Sequence, residues 1–277
     1  MEGADRESFL QGQLTQDVRG LRPGEVRPAA GLTPKGKLLY VARVLGLPDR
    51  IRLLVPASLA PTVAAHLTKY AVFQKVAVAD LSGLWLRVGL CGGPPPTDLP
   101  PGTLDLPGEG EFDAELLAPE SERRALVARL ERSGSRPLSE VEAEALRIKA
   151  GRPRFGQDMD DTNLPDELGL EPAISRTKGC YVGQEIVARL ATYGRVNRRL
   201  VGFRFPQGVL AAGTSLSHPD PSADPKIAWG RVTSSVAASD IGPIGLGFAF
   251  RDVPVGGLLL AADTPRREAV VSALPFA

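Results

Sequence analysis

Reactive side chains are scarce in this sequence. Its 277 residues include two Cys (Cys91, Cys180) and two His (His66, His218). A four-cysteine zinc or iron–sulfur site cannot be built from one such chain, so no stably bound metal is expected. Two cysteines at this size do not make a disulfide scaffold either, and the thiols are expected to be reduced, as in the cytoplasm. Charge of one sign is also lacking. Thirty-three Lys and Arg face 32 Asp and Glu, a net +1, which excludes a whole-surface basic field for nucleic acid and leaves only local patches. No apolar run approaches the roughly 20 residues of a membrane-spanning helix, so no membrane partner is expected. The opening MEGADRESFL is acidic without an apolar stretch, unlike a secretory signal. The expected location is cytoplasmic.

What remains is ordinary globular material, 43% hydrophobic and 23% charged, long enough for two or three packed units. A first helix would place Leu10, Leu14 and Val18 on one face. Apolar runs at Leu38 to Leu45 and Ile51 to Val55 flank a turn and predict a hairpin. A helix is expected from Ser58 to Tyr70, then strands at Phe73 to Ala79 and Leu84 to Leu90. Residues 92–110, rich in Pro and Gly, are expected to form an exposed loop. A strand over Phe112 to Leu117 and a helix from Ser121 follow. Ser139 and Glu142 spell a capping box for another helix that stops at Gly151. Beyond Arg199, short glycine-bearing strands predict a small antiparallel barrel or sandwich. The fold class is α+β with a C-terminal all-β unit.

Most candidate sites dissolve on chemical grounds. GLTPKGKL, residues 31–38, nearly spells a phosphate-binding loop. Leu38 has no hydroxyl for magnesium, Pro34 lacks an amide, and a strand follows instead of a helix. A turn into a strand is the expectation. Asp158 to Asp161 resembles the start of a calcium loop without its glycine, and reads as a solvated loop. His66 reads as a half-buried packing residue, His218 as a loop residue and Cys91 as structural. Lys178 to Glu185, KGCYVGQE, is different. Gly179 and Gly183 allow close backbone approach, and Gln184 opens a helix with Glu185 in its first turn. A thiol beside Lys178 and just ahead of a helix has two reasons for a lowered pKa. Its reactive and buried-structural readings both stay open on chemistry alone. Arg189, Arg195, Arg198 and Arg199 follow as a cationic strip.

KGCYVGQE, with Lys178, Gly179, Cys180, Tyr181, Gly183, Gln184 and Glu185, resembles the signature of the YgfZ-like folate-binding family. These are relatives of the glycine-cleavage aminomethyltransferase, the T-protein. Phe9 to Gln13 with Thr15 and Asp17, then Pro34-Lys35-Gly36, resemble the family's first helix and following turn. Leu146 to Gly151, Leu164-Pro165-Asp166-Glu167, Arg189 and Arg198-Arg199 continue the likeness in order. The resemblance implies a GcvT-like fold: a folate-binding region over 1–199, of two interleaved α+β subdomains around a central cavity, and a β-barrel over 200–277. It also implies a tetrahydrofolate cofactor, with the pterin on Glu167 and the anionic tail on arginines such as Arg189, Arg198 or Arg199. Cys180 becomes the functional thiol, with Lys178 holding it as thiolate or touching folate. The implied partners are iron–sulfur proteins or cluster-assembly factors, with tRNA only an indirect partner. The alternative is a tetrahydrofolate-dependent aminomethyltransferase or other one-carbon transferase. The transferases carry an aspartate just after the turn, where this chain has Lys37, Leu38, Leu39 and Tyr40. That departure argues against transferase activity. A third reading is direct tRNA binding by the strip from Arg189 to Arg199.

Overall fold

The computed structural model describes residues 1–224, 226–237, 239–261 and 266–277. Residues 225, 238 and 262–265 fall in the expected barrel segment and lie outside the described residues. The chain forms two compact units, one of Met1–Pro137 with Leu170–Ala188, the other of Leu138–Gly169 with Arg189–Ala277. The expected division at residue 199 differs from this partition, because 138–169 joins the C-terminal strands.

In the first unit, α1 (Arg6–Gln13) ends where Leu14 turns extended. Leu10, Leu14 and Val18 are all fully buried, but only Leu10 is helical. Thr15 leaves the helix to donate its N–H to Ala30 O at 2.9 Å, on β1 (Val26–Leu32). That strand carries Pro28 and Gly31, both poor strand formers, which hides it in the sequence. β2 (Leu38–Gly46) and β3 (Ile51–Leu54) complete an antiparallel sheet in the order β1-β2-β3. GLTPKGKL is the turn between β1 and β2, closed by Gly36 N–H on Thr33 O at 2.9 Å. Helix α2 (Ala60–Tyr70) lays Val63 and Leu67 on this sheet. The expected strand at Phe73 to Ala79 does not form. Phe73 is 97% exposed, and the segment has no neighbouring strand beyond one bridge from Ala77 to Glu2.

A second sheet, in the order β4-β6-β5, uses β4 (Trp85–Leu90), β5 (Leu104–Pro107) and β6 (Ala114–Pro119). β5 lies inside the stretch expected to be loop. Leu106 turns inward and packs with Leu45 and Leu117, enough burial to hold a short edge strand among prolines. Helix α3 (Arg123–Arg132) covers β6 through Leu126 and Leu130. Fully buried Glu115 is held between Arg43 and Arg87.

In the second unit, α4 (Glu140–Lys149) has the capping box foreseen from Ser139 and Glu142. After α5 (Gln184–Tyr193), within which the partition falls, come six strands. They are β7 (Arg198–Arg204), β8 (Ser215–Ser217), β9 (Gly230–Val236), β10 (Ile244–Phe250), β11 (Leu258–Ala261) and β12 (Glu268–Ser272). They close an antiparallel barrel in the order β10-β7-β12-β11-β8-β9. Phe203, Phe205, Val232 and Leu259 fill it. Ile148 of α4 packs with Ile244, Leu246 and Phe276. The acidic loop is solvated only in part: Asp160 and Asp161 are exposed, but Asp158 is not. Asp158 is 2% exposed and accepts from Arg147 Nη1 at 2.7 Å, Ser234 Oγ at 2.6 Å and Arg154 N–H at 2.9 Å. Burial alone would depress the Arg147 guanidinium, but Glu144 and Asp158 outweigh it and raise its pKa. This network ties 138–169 to β9.

Candidate functional site

The KGCYVGQE segment belongs to the first unit and is pinned there by its own residues. The Lys178 ammonium donates to Gln11 O at 2.7 Å, Leu14 O at 2.7 Å and Gln16 O at 3.0 Å. Gln11 lies in the last turn of α1, where carbonyls are left open, and Leu14 and Gln16 lie in the chain just beyond it. All three ammonium protons are therefore engaged on backbone, and burial pulls the Lys178 pKa down to about 8. Val182 N–H adds a bond to Gly12 O at 3.1 Å, and Ser175 N–H one to Thr15 O at 3.0 Å. Gln184 Oε1 accepts from Tyr181 N–H at 3.3 Å.

Gly183 is the glycine the geometry demands. Its φ is +84°, and a Cβ there would meet Thr33 O at 2.6 Å. Gly179 has open space around it, so only one of the two glycines serves close approach. Cys180 stands exposed with a free thiol between these anchors. Tyr181 is buried, and Glu185 is exposed at the start of α5.

Glu167, Arg189, Arg198 and Arg199 belong to the second unit. Glu167 is 8% exposed. Its Oε2 accepts from Asn163 Nδ2 at 2.8 Å and Arg198 Nη2 at 3.1 Å. Its Oε1 takes no hydrogen bond among the described residues. Arg198 stacks over the Phe248 ring at 4.8 Å, so the pterin and tail candidates form one ion pair. Arg199 is otherwise committed, donating to Arg251 O at 2.7 Å and Val253 O at 2.6 Å. Arg189 is exposed on α5. Asn163 was missed in the sequence; its spacing of four residues before Glu167 is its only signal.

The two histidines pack against aromatic rings, and Cys91, expected as structural, is an exposed free cysteine like Cys180. His66 packs between the rings of Tyr40 and Tyr70, with centroids at 6.2 and 4.9 Å, and its pKa is lowered by burial and then by Lys69. His218 lies against Trp229, and its Nδ1 accepts from Asp220 N–H at 3.1 Å. The Cys91 thiol donates to Glu111 O at 3.1 Å, and burial pushes its pKa up. In the positions after the turn, Leu38 and Tyr40 are core residues. The buried Tyr40 hydroxyl has no partner among the described residues. Among those residues, no group of three His, Cys, Asp or Glu side chains could hold a metal ion. Among the described residues, no helix is long and apolar enough to cross a membrane.

This architecture is that of the glycine-cleavage aminomethyltransferases. The chain superposes on the crystal structure of the glycine cleavage system aminomethyltransferase T from Bartonella henselae with a TM-score of 0.86. The match covers 100% of this chain and 82% of that one, at 22% identity. No protein-family model matches the chain. Among curated proteins it is 35% identical over 203 residues to an uncharacterized protein of Haemophilus influenzae, covering 72% of this chain and 67% of that one. It is 29% identical over 308 residues to the tRNA-modifying protein YgfZ of Edwardsiella ictaluri, covering 100% and 88%. It is 32% identical over 219 residues to that of Klebsiella pneumoniae, covering 72% and 66%. The chain belongs to the YgfZ-like family.

Proposed function

We propose that this chain is a folate-binding accessory protein that supports the assembly, maintenance or repair of iron–sulfur enzymes, tRNA-modifying ones included. The observation that carries the reading is the setting of Cys180. It is an exposed thiol on a segment held by a buried lysine with three carbonyl bonds and by a glycine that admits no side chain. Lys178 acts as a positioning residue for that segment, since its protons are engaged on backbone. With two cysteines in the chain, a cluster would be held transiently or with a partner's ligands. The printed name of several relatives, tRNA-modifying protein, supports a link to tRNA modification.

The residues of the second unit fit a reduced folate. A buried carboxylate with one oxygen open suits the amino and ring N–H donors of a pterin. Arg198 and Arg189 suit an anionic tail, while Arg199 is taken up by the barrel. When bound, folate would supply one-carbon carrier chemistry. The transferase alternative gains nothing from β2, where Leu38 and Tyr40 are buried and no carboxylate stands.

Two experiments test the reading. In cells whose sole copy carries Cys180→Ala, an iron–sulfur tRNA-methylthiolating enzyme should lose activity, and undiminished activity would sink the role of the thiol. Calorimetric titration with tetrahydrofolate should show binding weakened about tenfold or more by Glu167→Gln. Equal binding by both proteins would remove Glu167 from the site.

A further inference from the structure

A cavity of about 420 Å³ lies in the first unit, bounded by β3, α2 and the chain from Val78 to Trp85. That volume is within the range of about 300–1,000 Å³ typical of small-molecule sites. Its long wall is aliphatic, with Val55, Val63 and Leu67. Its charged feature is Arg52, whose guanidinium carbon stacks 3.6 Å from the Trp85 ring centroid. Arg52 Nε and Nη1 are buried without a hydrogen-bond partner. A guanidinium offers five donors in a rigid fork matched to a carboxylate, and burying them unpaired is costly.

The other charges around the cleft are already engaged: the Met1 ammonium, also on the lining, donates to Ile51 O at 2.8 Å, and burial lowers its pKa. Arg87 donates two bonds to Glu115 at 2.6 and 2.8 Å. Arg50 is paired with Asp49 and Glu2. Asp80, on the cleft lining, accepts from Ser82 N–H and Oγ. One unpaired cation facing one carboxylate favours a monoanion over a dianion. Desolvation, reinforced by Arg50, already depresses the Arg52 pKa, and a bound anion would relieve that strain.

We propose that this cleft binds a small amphipathic monocarboxylate, its carboxylate on Arg52 and its apolar body along α2 beside Trp85. The site is separate from Cys180 and Glu167 and does not rest on the iron–sulfur reading.

The test uses the full chain with Trp229→Phe. The chain has two Trp, so this leaves Trp85 as sole fluorescent reporter. Octanoate should shift Trp85 emission saturably, while 1-octanol and octyl phosphate should bind about tenfold or more weakly. Arg52→Gln should abolish the preference for octanoate over octanol. Ala64→Phe, which narrows the cleft and keeps Arg52, should weaken octanoate by about tenfold or more. Cys180→Ala should leave octanoate binding unchanged. Octanol matching octanoate, octyl phosphate binding more tightly, or octanoate binding unaltered in Ala64→Phe would each overturn the proposal.

Discussion

Lys178 shows what a single side chain can do in this fold. Placed on three open carbonyls, it fastens the cysteine-bearing segment to the end of α1. A lysine whose folded pKa is about 8, below its ordinary 10.5, sheds its proton first in the folded state. Between those values the unfolded chain holds more protons, so this group adds stability as pH rises from about 8 and opposes folding below it. Lys178→Met removes that titration and leaves three carbonyls unbonded. It should cost about 2 kcal/mol near neutral pH. It should also flatten the rise in stability between about pH 8 and 10.5. Urea unfolding of both proteins at stepped pH measures each effect, and an unchanged slope would contradict the buried titration. The motif was legible in the sequence because its chemistry is local. The partners of Lys178 were not, since they lie more than 160 positions away.

Among the elements, α4 repays comparison with the loop that follows it. Its start could be read directly, because a capping box is a pattern of neighbours. Asp158 was misread for the opposite reason. An acidic run reads as solvated, and only the approach of β9 supplies the donors that bury it. Asp158→Ala would take one carboxylate from Arg147, leaving it Glu144, Arg152 O and Ser234 Oγ, and would leave Ser234 without its acceptor. A loss of about 3 kcal/mol is expected, read as a lower urea midpoint for the intact chain. A stability unchanged by this substitution would show the network to be incidental. The same contrast governs strands. β2 and β10 announce themselves by apolar texture, whereas β1 and β5 carry Pro28, Gly31 and Pro107 and are held by packing. The aromatic and aliphatic run at Phe73 failed as a strand because no partner edge lies beside it.

Across the whole molecule, the class and the closed barrel could be anticipated, but the partition could not. Glu167 and Arg198 read as separate ligand contacts in the sequence, and folding makes them an ion pair. Arg52 carried no signal at all, because a lone arginine in a strand is unremarkable until its surroundings are known. The chain passes between the two units three times: 138–169 goes to the second, 170–188 returns to the first, and 189–277 goes to the second again. During synthesis this imposes a sequence of completion. The first unit cannot be finished until residue 188 has left the ribosome, so the cysteine-bearing segment is the last piece to seat there. The second must wait for β12, which closes the barrel against β7. The exposed thiol thus reaches its anchors at the end of α1 long after they were made, and before the barrel exists.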